Sequence, residues 1–257
     1  MKIGILYIAI GPYEKFWSEF HSSCERLFLT GIPKKYFIFT DSKNIQPSEN
    51  ISVVPVVDQG WPRNTLNRFE FFDSISNQLS DSDFCFFFNA NTQFLKTILS
   101  EEVIPDATHE HLVSLSFHTF LSNPKASWPY DRNPASTACM TFDEGYRYYQ
   151  GGLYGGRTVE FRIMNAELLQ NVRQDDANGV IARNNDESHL NKYLANRHPL
   201  CLSTQYGRPE EWLEPTNPSI IFRRKEATLG FVHIFWQKKK PFMYLLRQIH
   251  AKLKRTY

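Results

Sequence analysis

Cysteine is scarce and scattered. The 4 cysteines among 257 residues, Cys24, Cys85, Cys139 and Cys201, form no Cys-x-x-Cys pair. That spacing excludes a disulfide framework and a zinc-ribbon site, and a reduced compartment is expected. Long apolar runs are missing as well. The opening run Ile3 to Ile10 is far short of the ~20 residues a membrane helix needs, and no cleavage pattern follows it. The expectation is a cytoplasmic chain, neither secreted nor membrane-spanning. Excess charge is almost absent, at +2, which gives no whole-chain case for a nucleic-acid partner. Its distribution is uneven, because positive charge gathers at the C-terminus. What is plentiful is aromatic residues, 15% of the chain with 21 Phe; a Phe-rich core and sugar-stacking surfaces account for them equally well. Hydrophobic and charged fractions of 42% and 22% are ordinary for a globular chain of this length, large enough for one α/β domain.

The run Asp83-Phe84-Cys85-Phe86-Phe87-Phe88 shows no alternation. Neither face expects water, so it reads as a strand buried on both faces of a parallel sheet. It stops at Asn89-Ala90-Asn91. In open α/β sheets ligands bind just past the carboxyl ends of the strands. Asn89 and Asn91 are therefore either site residues or ordinary strand terminators.

Upstream, Ile3 to Ile10 reads as a buried strand, Tyr13 to Leu29 as a helix, Tyr36 to Thr40 and Ile51 to Val57 as two further strands. Thr65 to Leu79 reads as one helix burying Leu66, Phe69, Phe72 and Leu79, with Arg68 pointing elsewhere. Strand, helix, strand predicts a doubly wound α/β sheet. Downstream, Val113 to Phe120 is apolar, with His111 before it and His118 inside it; a histidine there is more often structural than catalytic. Residues 122–138 form a long polar, Pro-rich loop of the kind that tends to be functional. In Tyr148-Tyr149-Gln150-Gly151-Gly152-Leu153-Tyr154-Gly155-Gly156 the glycines permit close backbone approach or a bulge. They have neither dinucleotide-fingerprint spacing nor a phosphate-loop lysine. A helix is expected over Phe161 to Val172 and another after Asn185 or Asp186, burying Leu190, Tyr193 and Leu194. Glu187 is thus a carboxylate on a rigid element, although acidic residues at a helix start are commonly just dipole complement. The tail, Gln237-Lys238-Lys239-Lys240 and then Phe242 to Tyr257, has Leu245, Leu246, Ile249 and Leu253 at helical spacing among basic residues. It is either a helix for peripheral contact with an anionic membrane or a solvated end.

Taken together, these stretches resemble a known family. Asp186-Glu187-Ser188-His189-Leu190-Asn191-Lys192-Tyr193 resembles the catalytic segment of the mammalian blood-group A and B glycosyltransferases and α1,3-galactosyltransferases. Asp143-Glu144-Gly145, Tyr148-Tyr149 and the paired glycines are similar to that family's donor-sugar loop. Tyr130 to Ser136 is similar to the loop before it. Ala9-Ile10 with Tyr13, and Phe39-Thr40-Asp41, fit its first two strands. The resemblance, over roughly residues 3–206, is to retaining glycosyltransferase family 6, and to its soluble bacterial-type members. It implies a GT-A fold, with a Rossmann-like sheet flanked by helices. The expected organisation is one domain over residues 1–236 and a basic amphipathic tail over 237–257.

The resemblance also implies roles. Ile8, Ala9, Ile10 and Tyr13 would hold uracil and ribose, with Trp61 and Arg68 near the donor. Gln150, Gly151 and Gly152 would line the pocket that reads C2 of the sugar. Asp186 would bind sugar hydroxyls, Glu187 would be the catalytic carboxylate and His111 would face the acceptor. The chain departs from the family at Asn89-Ala90-Asn91, where members carry Asp-x-Asp and chelate Mn²⁺. Amides are poor ligands for a hard cation, so catalysis without a metal cofactor is expected. The departing diphosphate would then need other positive charge, with Arg223, Arg224, Lys225 and Lys238 to Lys240 as candidates. Glycine at Gly152 implies UDP-GalNAc as donor, with UDP-Gal the alternative. The implied acceptor is the 3-OH of a terminal β-galactose carrying α1,2-linked fucose. It is less sharply defined, because Asn184 and Pro129 stand where the blood-group enzymes have Trp and Thr. A catalytically weak sugar-nucleotide-binding protein is the competing class, and a basic-tail membrane adaptor a third.

Overall fold

The computed structural model describes residues 1–117, 123–212, 214 and 216–230. His118 and the basic tail from Gln237 lie outside them. In chain order the elements are β1 (Ile3–Ala9), α1 (Trp17–Leu27), β2 (Lys34–Thr40), β3 (Ile51–Pro55), α2 (Arg63–Leu66), α3 (Arg68–Ser74), α4 (Ser76–Leu79), β4 (Phe84–Phe88) and β5 (Thr92–Phe94). They continue with α5 (Ser100–Val103), β6 (Leu112–Ser116), β7 (Tyr149–Arg157), α6 (Thr158–Ala177), α7 (Asp186–Leu194), β8 (Leu200–Leu202), β9 (Arg208–Pro209), β10 (Ile220–Phe222) and α8 (Lys225–Leu229).

The main sheet has the order β3-β2-β1-β4-β7-β6-β8. Its pairs are parallel except where β7 runs against β4 and β6. The expected mostly parallel α/β sheet is present, with one correction: β4 has a parallel neighbour on one side only. Alternate residues of β4 serve two cores. Phe86 and Phe88 enter a cluster with Phe20 and Phe28 under α1. Cys85 and Phe87 enter a second with Phe72, Phe161 and Leu190 under α3, α6 and α7. Burial on both faces is why the run lacks polar alternation. A smaller sheet, β5-β10-β9, continues beyond the end of β4.

Three element expectations need correcting. The helix expected over Thr65 to Leu79 is three short helices, interrupted at Asn67 and at Ile75, where Ile75 N bonds Phe72 O in an i→i+3 turn. Asn67, Ser74, Ser76 and Asn77 are weak helix formers, so packing sets the path. The expected start at Tyr13 is a 3-10 turn over Gly11–Phe16 preceding α1, with Pro12 in its first turn. Helix α6 is longer than its apolar periodicity, because its last turn is polar.

One irregularity of β7 matters for the site. A single step along β6, Ser114 to Leu115, spans four residues of β7, Tyr154 to Gln150. Gly151 and Gly152 therefore bulge out of that pair, while Gly152 O still accepts from Asn89 N. The second glycine pair has a different use: a Cβ would lie 2.4 Å from Cys85 O of β4 at Gly155, and 2.4 Å from His111 O, just before β6, at Gly156.

Candidate active site

At the carboxyl edge of the sheet, strands β1 and β4 end beside the β7 bulge and the start of α7. They frame an open cleft of about 270 Å³ that adjoins a pocket of about 330 Å³. Ile8, Ile10, Tyr13, Trp61 and Asn91 line the first. Gln150, Gly151, Gly152, Asp186 and Glu187 line the second. Thr65, Arg68, Asn89 and Lys225 line both. Sequence reasoning thus named most of the lining residues, and the fold brings them together.

Arg68 is 6% exposed, turned inward by the break at Asn67. Its guanidinium packs on the Phe87 ring at 4.4 Å, and its Nη1 donates to Gly151 O at 2.9 Å and pairs with Asp186 Oδ2 at 2.8 Å. Burial pushes the Asp186 carboxyl up, and Arg68 offsets this only in part. Next to it, Glu187 Oε2 accepts from Gly151 N at 2.7 Å and Oε1 from Tyr148 Oη at 2.6 Å. Burial raises the Glu187 pKa too, with the Gly151 amide and Tyr148 hydroxyl opposing. Asn185, immediately before this pair, has φ 53° and ψ −126°. Such a conformation costs about 1–3 kcal/mol and is held by its surroundings.

Three residues complete the frame: Asn191 and Tyr148, which stood in the matching segments without a role of their own, and Phe222, which sequence reasoning did not name. Asn191 accepts from Tyr149 N at 2.9 Å and donates to Tyr149 O at 2.8 Å, clamping α7 to β7. Its spacing of four from Glu187 on one helix was the available signal. Tyr148 holds Glu187, and Phe222 closes the pocket beside Gly152; both partnerships link distant stretches and leave no local pattern.

Several expectations fail on placement. Ala9 is fully buried in the core, because period two sends its side chain opposite to Ile8 and Ile10. His111 precedes β6 and lies at the other edge of the sheet, where its carbonyl accepts from Arg157 N. Along β7 that is about 16 Å from Gly152, at ~3.3 Å per residue, so His111 does not face the pocket. Arg223 is turned away, paired with Glu19 at 2.7 Å and Glu210 at 3.1 Å. Gln150, by contrast, does line the second pocket, with its Nε2 donating to Gly207 O at 3.4 Å. Lys238 to Lys240 lie outside the described residues.

A divalent cation would need oxygen ligands here. Asn89 and Asn91 offer only neutral amide oxygens where carboxylates would be wanted, Asp186 is held by Arg68, and Asp58 Oδ1 already accepts from Gly60 N and Asn64 Nδ2. No group of three His, Cys, Asp or Glu converges among the described residues. This donor set does not fit a chelated ion. The Asn89 side chain has no hydrogen-bond partner among the described residues and is open to a ligand.

A mostly parallel α/β sheet flanked by helices, with a cleft at its carboxyl edge, is the architecture of a GT-A-like glycosyltransferase fold. The family model of Glycosyltransferase family 6 matches residues 1–224, and the chain belongs to that family. It is 34% identical over 91% of its length to the O-antigen biosynthesis glycosyltransferase WbnI of Escherichia coli, covering 99% of that protein. Over 86% of its length it is 27% identical to the human globoside alpha-1,3-N-acetylgalactosaminyltransferase 1. Over 79% it is 30% identical to the rat histo-blood group ABO system transferase 1. Of these two animal proteins the chain spans 65% and 60%. No helix among the described residues is long and apolar enough to cross a membrane.

Proposed function

We propose that the protein transfers GalNAc from UDP-GalNAc, with retention and without a divalent metal, to the 3-OH of a terminal β-galactose bearing α1,2-linked fucose. The observation that carries this reading is the continuity of the site. One cleft joins Ile8, Ile10 and Tyr13, suited to a nucleoside, to Asp186 and Glu187, suited to a sugar, and Asn89 and Lys225 line the junction. The similarity to a protein named as an α1,3-N-acetylgalactosaminyltransferase supports the donor and the linkage. The donor set at Asn89 and Asn91 supports metal independence.

Protein dialysed exhaustively against EDTA is expected to convert UDP-GalNAc and 2′-fucosyllactose to a product one N-acetylhexosamine heavier and α-linked. Mass spectrometry and NMR check this. Complete loss of turnover, restored by Mn²⁺, overturns the metal clause. Donor binding without product across a panel of donors and acceptors favours a sugar-nucleotide-binding protein instead.

The donor reading makes a further prediction. A Cβ at Gly152 would sit 2.7 Å from Phe222 Cζ and 3.0 Å from Asn89 Nδ2. In Gly152→Ala the ring and amide must shift, narrowing the pocket. The ratio of kcat/KM for UDP-GalNAc over UDP-Gal is expected to fall by about tenfold or more, within the ~1–3 kcal/mol one methyl-sized change decides. Competition between the two donors measures it, and an unchanged ratio counts against C2 being read here.

A further inference from the structure

A desolvated carboxylate needs hydrogen-bond donors to remain ionised, and the half-buried Glu187 takes its two from different parts of the chain. The Gly151 N–H is fixed by the strand. The Tyr148 hydroxyl is a rotor, and its direction has to be set by something else. Asn184 Nδ2 donates to Tyr148 Oη at 2.8 Å and to Pro129 O at 2.9 Å. An amide NH₂ has two hydrogens, so both bonds form at once. Having accepted one, the tyrosine oxygen directs its own hydrogen to Glu187 Oε1. The ring is buried, 5.5 Å from that of Tyr130, and cannot swing away without opening that cluster.

We propose that Tyr148 is a positioning residue for Glu187 and that Asn184 orients it, tying the carboxylate to the loop that carries Pro129. The inference rests on the catalytic role proposed for Glu187. The other charged or titratable groups around that carboxylate are Asp186, Arg68 and, lining the same pocket, Lys225. Burial and the adjacent Glu187 charge push the Tyr148 pKa up, so it stays a donor throughout the working range. A hydrogen bond to the charged form favours that form. Removing it raises the Glu187 pKa further, and an enzyme that needs the carboxylate loses activity at a higher pH than before.

Tyr148→Phe keeps the ring and deletes the hydroxyl. The expected result is a fall in kcat of about ten- to a hundredfold, the range for a hydrogen bond to a charged group, with donor KM within about twofold. The acid limb of the kcat profile moves up by about one pH unit. Asn184→Leu, at a half-buried position, breaks the relay without touching the ring; it should move the limb in the same direction by less. The double variant should move it no further than Tyr148→Phe alone. If Tyr148→Phe does not fold, the Asn184→Leu limb decides. A fall in kcat with an unmoved acid limb assigns Tyr148 to packing and overturns the proposal. A Glu187→Gln enzyme that works at nearly the normal rate is a different failure, that of the catalytic role itself.

Discussion

Glu187→Gln is expected to lower the transfer rate by about 10²–10³-fold, the loss typical of one electrostatic stabiliser in a water-poor site, with little change in donor KM. The substitution preserves shape and one carbonyl oxygen. Gly151 N can still be satisfied by the amide oxygen, while Tyr148 Oη, which already accepts from Asn184 Nδ2, loses the carboxylate it donates to, so the loss is that of charge at the anomeric centre together with this hydrogen bond. Because burial raises the Glu187 pKa, the carboxylate protonates at a higher pH than the ordinary ~4.3. Activity that requires the ionised form is lost as pH falls through that raised value, and the variant's kcat profile should lack this limb. The sign of the stability effect is opposite. A glutamate with a folded-state pKa above its unfolded value disfavours folding once both states are ionised, so at neutral pH E187Q should melt no lower than the parent protein. Steady-state rates against pH, with melting curves as the control for folding, test this. A nearly unchanged rate removes Glu187 from the reaction.

The parts of the site legible in the sequence were those written in local pattern. The unbroken aromatic run of β4 marked a doubly buried strand, and its abrupt end at Asn89 marked the ligand edge of the sheet. The acidic pair at the start of α7 was visible as a motif. What escaped depends on direction and distance. The acceptor role of His111 came from the family resemblance alone, while its place just before an apolar stretch read as structural; a residue entering a parallel strand sits at the amino edge, away from the ligand. Ala9 too took its role from the resemblance, although alternation along the strand turns its side chain away from those of Ile8 and Ile10. Arg68 is buried against Phe87 and Asp186 in a segment interrupted at Asn67 and Ile75, which helix periodicity does not encode. Tyr148 meets Glu187 across 39 residues, a separation no local pattern records. The glycine stretch had a structural reading and a functional one, and both hold: the bulge is the means by which β7 delivers a backbone donor to Glu187.

Lys225→Ala is expected to reduce kcat by about 10²-fold and to weaken UDP binding. The diphosphate leaves with added negative charge, which needs compensation in the transition state. Among the described residues the cations lining the cleft are Arg68 and Lys225. Arg68 is neutralised by Asp186 and held under the Phe87 ring, so its charge already has a partner. Arg223 faces Glu19 and Glu210 outside the cleft. Lys225 opens α8, with Nζ 5.5 Å from the centre of the Tyr13 ring, a residue that lines the nucleoside end of the cleft. An exposed ammonium is screened in the free enzyme and gains weight as the donor displaces water around it. Lys225→Arg should therefore recover part of the rate, and added Mn²⁺ should recover none, because the Asn89 and Asn91 amides offer it no carboxylate. Rates with and without metal, together with UDP affinity by calorimetry, check this. An unaltered kcat in Lys225→Ala would move the neutralising charge elsewhere in the chain.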